Sequence, residues 1–243
     1  LGIKTCKTMY IRKIESVFQS WMDTPFHKPI VVKGVRQCGK TSSVVDFANK
    51  HFRHIVYMDF REHPDYKLFF TPNLNVDDII MRITAAMPDV EIEAGNTCFI
   101  FDEIQDCPRA RGSLKYFFLD GRFEVMCTGS LLGVNGYKSR EEQAEEADAS
   151  IPVGFEDIVN MYPMDFEEWL WANGIKPMHI DYLRQCLDNE APVDASIHAR
   201  FRELLHQYVI VGGMPEAVTV FLNTRQIGKV LFIQRRIVDE YKA

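Results

Sequence analysis

The residues Gly34-Val35-Arg36-Gln37-Cys38-Gly39-Lys40-Thr41 follow the spacing G-x-x-x-x-G-K-[ST]. Each fixed position has a chemical reason. Gly34 and Gly39 let the backbone wrap closely around an anion. Lys40 can reach the outer phosphates of a nucleotide, and the Thr41 hydroxyl is a hard oxygen ligand suited to Mg²⁺. Such a loop works only if flanking elements hold it. The apolar run Pro29-Ile30-Val31-Val32 reads as the strand that delivers it, and Ser42 to Lys50 reads as the helix that it opens. Unpaired N–H groups and the helix dipole attract negative charge at that helix start. In this setting the eight residues imply binding of a nucleoside triphosphate.

Hydrolysis asks for more: a carboxylate for the metal and a group that orients water. Cys98-Phe99-Ile100-Phe101-Asp102-Glu103 supplies both at the end of an apolar strand. Asp102 suits Mg²⁺, directly or through water. Glu103, one residue on and pointing differently, suits a general base. The plainer reading is a buried strand ending in an acidic turn. In Val125-Met126-Cys127-Thr128-Gly129-Ser130, either Thr128 or Ser130 can contact a terminal phosphate or position the water, although Thr-Gly-Ser is also good turn chemistry. Arg36 can meet phosphate or a neighbouring carboxylate. Arg109 and Arg111, with Lys115 a turn further on, read as a helix start facing solvent, or as a contact to a partner, nucleic acid or adjacent subunit. Cys38 marks the loop as a place where oxidation could act.

Composition narrows the classes. The 243 residues suffice for one large domain or two small ones, with 47% hydrophobic and 26% charged residues, as in soluble globular proteins. A net charge of -6 argues against broad electrostatic binding of nucleic acid. Six cysteines without a C-x-x-C pair read as free thiols in a reducing compartment, and seven histidines show no metal-binding spacing. With no membrane-spanning run and no signal peptide, a cytoplasmic protein without a membrane partner is expected.

Around the site, Ile11 to Trp21 has helical periodicity, and His54 to Phe60 reads as a strand. Pro64 to Asn75 reads as loop and Val76 to Met87 as helix. Leu114 to Leu119 reads as helix, Phe123 to Thr128 as strand, and Ile158 to Met164 as the last strand. Asp165 is placed to cap a helix running to Gly174. Lys138 to Asp148 is an acidic, solvated loop. Helices follow at Ile180–Leu187, Ser196–Val209, Pro215–Leu222 and Val230–Tyr241, interrupted by a turn at Gly212-Gly213-Met214-Pro215. Alternating strands and helices predict an α/β fold with a parallel sheet.

The joint set G-V-R-Q-C-G-K-T, F-I-F-D-E-I-Q, C-T-G-S, Y-P-M-D-F-E-E-W-L and Y-V-I-V-G-G-M-P-E resembles the AAA-like P-loop ATPases of bacteria and archaea, from about Tyr10 onward. The resemblance implies a three-layer P-loop NTPase fold with a mainly parallel five-stranded sheet. In it the hydroxyl-tipped strand lies between the loop strand and the D-E strand. It also implies an ATPase core over residues 1–174 and a helical lid over 175–243. By the family's pattern Gly34 to Ser42 bind phosphate, Thr41 and Asp102 serve Mg²⁺, Glu103 is the base, and Thr128 or Ser130 is the sensor. The family's short G-R segment is not found, since Pro152-Val153-Gly154-Phe155 offers no arginine there. Relatives usually carry a further nuclease-like domain, and this sequence stops before one, at Ala243 in an apparent helix. The expected function is Mg²⁺-dependent ATP hydrolysis driving a lid, a protein, a DNA partner or a homo-oligomer. A nucleotide switch with negligible turnover is the alternative, and a small-molecule kinase is disfavoured.

Overall fold

The computed structural model describes residues 10–130 and 154–242. The acidic run Lys138 to Asp148, Cys6 and the Pro152-Val153 pair lie outside the described residues. Contacts divide the chain into two compact units. One holds Ile14–Arg36 and Lys40–Met161. The other is built from the residues before Ile14, the loop tip Gln37–Gly39, and the chain from Tyr162 onward.

The first unit carries a five-stranded sheet in the order β2-β3-β4-β1-β5. Its strands are β1 (Ile30–Gly34), β2 (His54–Asp59), β3 (Thr97–Asp102), β4 (Glu124–Ser130) and β5 (Asp157–Met161). All four pairings are parallel. The hydroxyl-tipped β4 lies between β1 and β3, as the family resemblance implies. Every residue of β3 is buried, which is why its sequence reads as one apolar run rather than an alternation. Helices α1 (Ile14–Met22), α2 (Lys40–His51), α3 (Val76–Ala86) and α4 (Pro108–Asp120) cover the sheet. One face is a continuous core in which Val56, Met58, Phe99, Phe101, Val125 and Cys127 pack with Ile79 and Ile83 of α3 and Leu114 and Phe117 of α4. Side chains alternate along a strand. Tyr57, Asp102 and Thr128 therefore point to the opposite face. On α1 and α2, Phe18 meets Phe47 edge-on with ring centroids 5.4 Å apart.

Two stretches differ from the sequence expectation. Pro64–Phe70 is a 3₁₀ helix rather than loop, and it buries Phe69 and Phe70 in the core. Helix α4 begins at Pro108, six residues before its apolar periodicity does, because Arg111 and Ser113 are buried on its polar first turns.

The second unit is helical: α5 (Phe166–Ala172), α6 (Pro177–Asp188), α7 (Ala195–Val211), α8 (Pro215–Thr224) and α9 (Ile227–Lys242). Asp165 caps α5 as expected. Its carboxylate accepts from Glu168 N at 2.9 Å, and the Glu168 carboxylate accepts from Asp165 N at 3.1 Å, a reciprocal capping box. Trp169, Leu204, Val218, Phe221 and Val230 centre the core. The turn Gly212-Gly213 is a packing joint. Met164 N donates to Gly213 O at 2.7 Å, and a Cβ on Gly213 would stand 2.0 Å from Met164 O. Only glycine fits where the two backbones press together. Among the described residues, no helix is long and apolar enough to cross a membrane.

Candidate nucleotide site

Strand β1 ends at Gly34 and α2 begins at Lys40, so the loop has the strand-to-helix setting that its sequence requires. The turn is tight: Gln37 and Gly39 have φ of 62° and 98°. Gln37 is not glycine, yet it holds the left-handed region, where non-glycine residues are uncommon. Its side-chain amide donates to the Glu240 carboxylate of α9. Lys40 is buried, and its Nζ donates to Gly34 O at 3.0 Å and Val35 O at 2.8 Å. The ammonium thus lies folded back along the loop. Val35, Arg36 and Ser42 complete the segment, with Arg36 and Ser42 exposed.

Asp102 is the centre of the site. It is 4% exposed and receives four donors. Its Oδ1 accepts from Thr41 Oγ1 at 3.1 Å, from Glu103 N at 3.1 Å and from Thr128 Oγ1. Its Oδ2 accepts from the Tyr57 hydroxyl at 2.6 Å. Sheet register explains these meetings. Phe101 is level with Cys127, so Asp102 comes level with Thr128. Tyr57 is level with Ile100, one side-chain repeat before Asp102 on the same face. Burial, followed by the bond to Asp102, pushes the Tyr57 hydroxyl far above its ordinary pKa, so it stays a donor.

Glu103 leaves the strand with φ 52° and ψ 48°, a left-handed residue that turns the chain into the 3₁₀ turn Ile104–Asp106. Its carboxylate accepts from Gln105 Nε2 at 2.5 Å and pairs with Arg61 Nη2 at 3.1 Å. Arg61 also reaches Asp106 Oδ2 at 2.9 Å. Gln105 Oε1 in turn accepts from Ser130 N at 3.4 Å. Thr128 therefore meets Asp102 directly. Ser130 joins the Glu103 side through Gln105.

Several sequence readings change. Arg109 and Arg111 are both engaged within the chain, and Arg111 is buried rather than facing solvent at a helix start. Arg109 donates to Phe70 O and Pro72 O, both at 2.9 Å. Arg111 is buried and grips Glu156 through Nη2 at 2.5 Å and Nε at 3.0 Å. Cys38 is wholly buried, which does not fit an oxidant-exposed thiol. The five cysteines among the described residues are free. Tyr57 and Arg61 carry no signal in the sequence, because a lone tyrosine or arginine has no spacing to mark it, and Gln105 stands in the F-I-F-D-E-I-Q motif without a role that its position reveals. Arg12 went unnoticed too. In the helical unit its guanidinium donates to Cys38 O at 2.8 Å and Tyr162 O at 2.7 Å, and it pairs with buried Glu168 at 3.1 Å.

A divalent cation fits the donor set. Among the described residues no cluster of three or more metal-binding side chains exists. A buried carboxylate beside a threonine hydroxyl nevertheless matches the sparse hard-oxygen set that Mg²⁺ takes when phosphates and water complete its shell.

The AAA domain family model matches residues 26–170, from just ahead of β1 into α5. No curated protein matches the chain. Among solved structures, a Walker-type ATPase of Pyrococcus abyssi aligns with TM-score 0.53 and 16% identity, covering all of this chain and 75% of that one. PCH-2 of C. elegans aligns at 0.45 and 12% over 97% of this chain and 70% of that one. AMPPCP-bound DnaA from Aquifex aeolicus aligns at 0.42 and 10% over 90% and 59%. At such identities the first likeness speaks to fold alone, and the fold is that of a P-loop NTPase. With its family model covering more than half of its length, the chain belongs to the AAA domain family.

Proposed function

We propose that this chain is a Mg²⁺-dependent ATPase whose core spans residues 1–174 and whose helical part, 175–243, acts as a lid. The observation that carries the reading is the 3.1 Å contact between Thr41 and Asp102, residues 61 apart in sequence, at the mouth of a G-x-x-x-x-G-K-T loop. In this reading Gly34 to Ser42 cradle the phosphates, and Lys40 exchanges its two carbonyl acceptors for phosphate oxygens. Thr41 and Asp102 would hold Mg²⁺, which neutralises phosphate charge when bound. Thr128 reports on the carboxylate that it touches, and Glu103 takes the proton from attacking water. ATP and ADP are the ligands, in the cytoplasm, with a protein, DNA or a second copy of the chain as what the cycle acts on.

One observation favours the switch reading. The Glu103 carboxylate is already committed to Gln105 and Arg61. A base held in an ion pair must be released before it can accept a proton. Nucleotide affinity and steady-state phosphate release, measured with and without DNA, separate the two. Lys40→Ala should lose nucleotide binding. Glu103→Gln should keep binding and slow hydrolysis by roughly 10²-fold or more. A Glu103→Gln protein turning over at the wild-type rate removes Glu103 as base. Tight binding by a wild-type protein with no turnover under any condition selects the switch.

A further inference from the structure

Gln105 stands two residues after Glu103, on the 3₁₀ turn Ile104–Asp106. The turn is fixed on both sides of that residue. Ile104 is fully buried, Cys107 nearly so, and Asp106 N donates to Glu103 O at 2.8 Å. From this mount the Gln105 amide spans two groups. Its Nε2 donates to Glu103 Oε2 at 2.5 Å, and its Oε1 accepts from Ser130 N at 3.4 Å. Ser130 ends β4 level with Gly34, where the phosphate loop begins. The carboxylate is thereby tied to the strand end beside that loop. The other hold on Glu103 comes from Arg61, a side chain 46% exposed and shared with Asp106. An ion pair in such exposure contributes little, because water competes and entropy opposes a single geometry.

We infer that Gln105 is a positioning residue for hydrolysis: its amide bridges Glu103 to the end of β4 and so aims the base along the phosphate-loop side of the site. The inference rests on the reading of Glu103 as general base. Glutamine is the side chain that this place calls for. It offers a donor to an ionised carboxylate, an acceptor to a backbone N–H, and the length to reach both. An ionised glutamate has the length without the donor, and so does methionine. Aim matters because a misplacement of about 1 Å costs on the order of 10²-fold in rate.

The test uses the full chain, with affinity for a fluorescent ATP analogue and single-turnover phosphate release read on wild type, Gln105→Met, Gln105→Glu, Glu103→Gln and Gln105→Met/Glu103→Gln. Both Gln105 variants should bind the analogue within about twofold of wild type, which shows that they fold. Their release rates should fall by about tenfold or more, as expected for a lost hydrogen bond to a charged group. In the Glu103→Gln background, Gln105→Met should change the rate by less than about twofold, because a residue that acts through the base has nothing left to aim. A merely structural role would lower the rate equally in both backgrounds, and that result overturns the inference. Weakened nucleotide binding by both Gln105 variants overturns it as well. Wild-type rates in Gln105→Met, with Glu103→Gln slow, overturn it alone. A Glu103→Gln protein at the wild-type rate, or a wild type without turnover, overturns the base reading and the inference together.

Discussion

Gly213→Ala tests how the helical unit is joined. The added methyl would lie 2.0 Å from Met164 O and 2.9 Å from Met164 C and N. Carbon–oxygen contacts settle near 3.3 Å or beyond, so backbone must part by more than about 1 Å. Neither side can yield easily. Met164 O accepts from the Tyr208 hydroxyl at 3.0 Å, and Met164 N donates to Gly213 O at 2.7 Å. Losing that buried backbone bond costs ~1–3 kcal/mol. Overpacking adds ~1–3 kcal/mol. The total of about 2–6 kcal/mol is a large part of a domain's usual 5–15 kcal/mol. Two neighbours calibrate it. Gly212→Ala meets open space but must hold φ 71° and ψ -175°, a glycine-only region, for about 1–3 kcal/mol. Gly228→Ala, in α9 and also in open space, should be neutral or stabilising by up to ~1 kcal/mol. Urea unfolding followed by tryptophan fluorescence in a Trp21→Phe background reads this unit, because Trp169 and Trp171 belong to its core and Trp21 lies in the other unit. Midpoints should fall in the order Gly228→Ala, wild type, Gly212→Ala, Gly213→Ala. A Gly213→Ala midpoint at or above that of Gly212→Ala refutes the argument.

Arg12→Met should destabilise by about 3–5 kcal/mol in the same assay, because it strands the buried Glu168 carboxylate; the double variant Arg12→Met/Glu168→Leu should lose less than the two single variants summed. The Asp165 carboxylate feels burial, which raises its pKa, but the Glu168 N–H and Lys13 outweigh this and hold it below the ordinary value. Its contribution is therefore complete above the unfolded value of about pH 4 and is lost as pH falls through the lower native value. The difference in urea midpoint between wild type and Asp165→Ala should be flat from pH 7 to about pH 5 and shrink below pH 4, and a difference that grows on acidification contradicts the assignment.

The legible parts were those with a period or a spacing. The strand of Cys98 to Phe101, the amphipathic α3 and the Asp165 cap each announce themselves within a few residues. The loop motif and Asp102-Glu103 did so through fixed intervals. What escaped was held by single long-range bonds. Tyr57 reaches Asp102 across 45 residues, and Arg12 reaches Glu168 across 156. Neither has a local signature, and both depend on register or on a tertiary cradle. The first turns of α4 escaped for a related reason. Beside Ala110, their buried groups are Arg111 and Ser113, satisfied by Glu156 and Ala110 O, so most of the burial there does not show as hydrophobicity.

The order β2-β3-β4-β1-β5 also sets a timetable for synthesis. Strand β1 is made early but is flanked in the sheet by β4 and β5, so each of its residues waits about a hundred residues for its first neighbour. At translation rates of roughly 5–20 residues per second, the wait is on the order of ten seconds. Through that interval Ile30, Val31 and Val32 have no sheet partner, although all three are fully buried in the finished fold. A nascent chain stalled before Glu124 should be protease-sensitive around the phosphate loop, and one stalled well past Met161 should be resistant. The loop that reads most clearly in the sequence is thus among the last parts of the core to take shape.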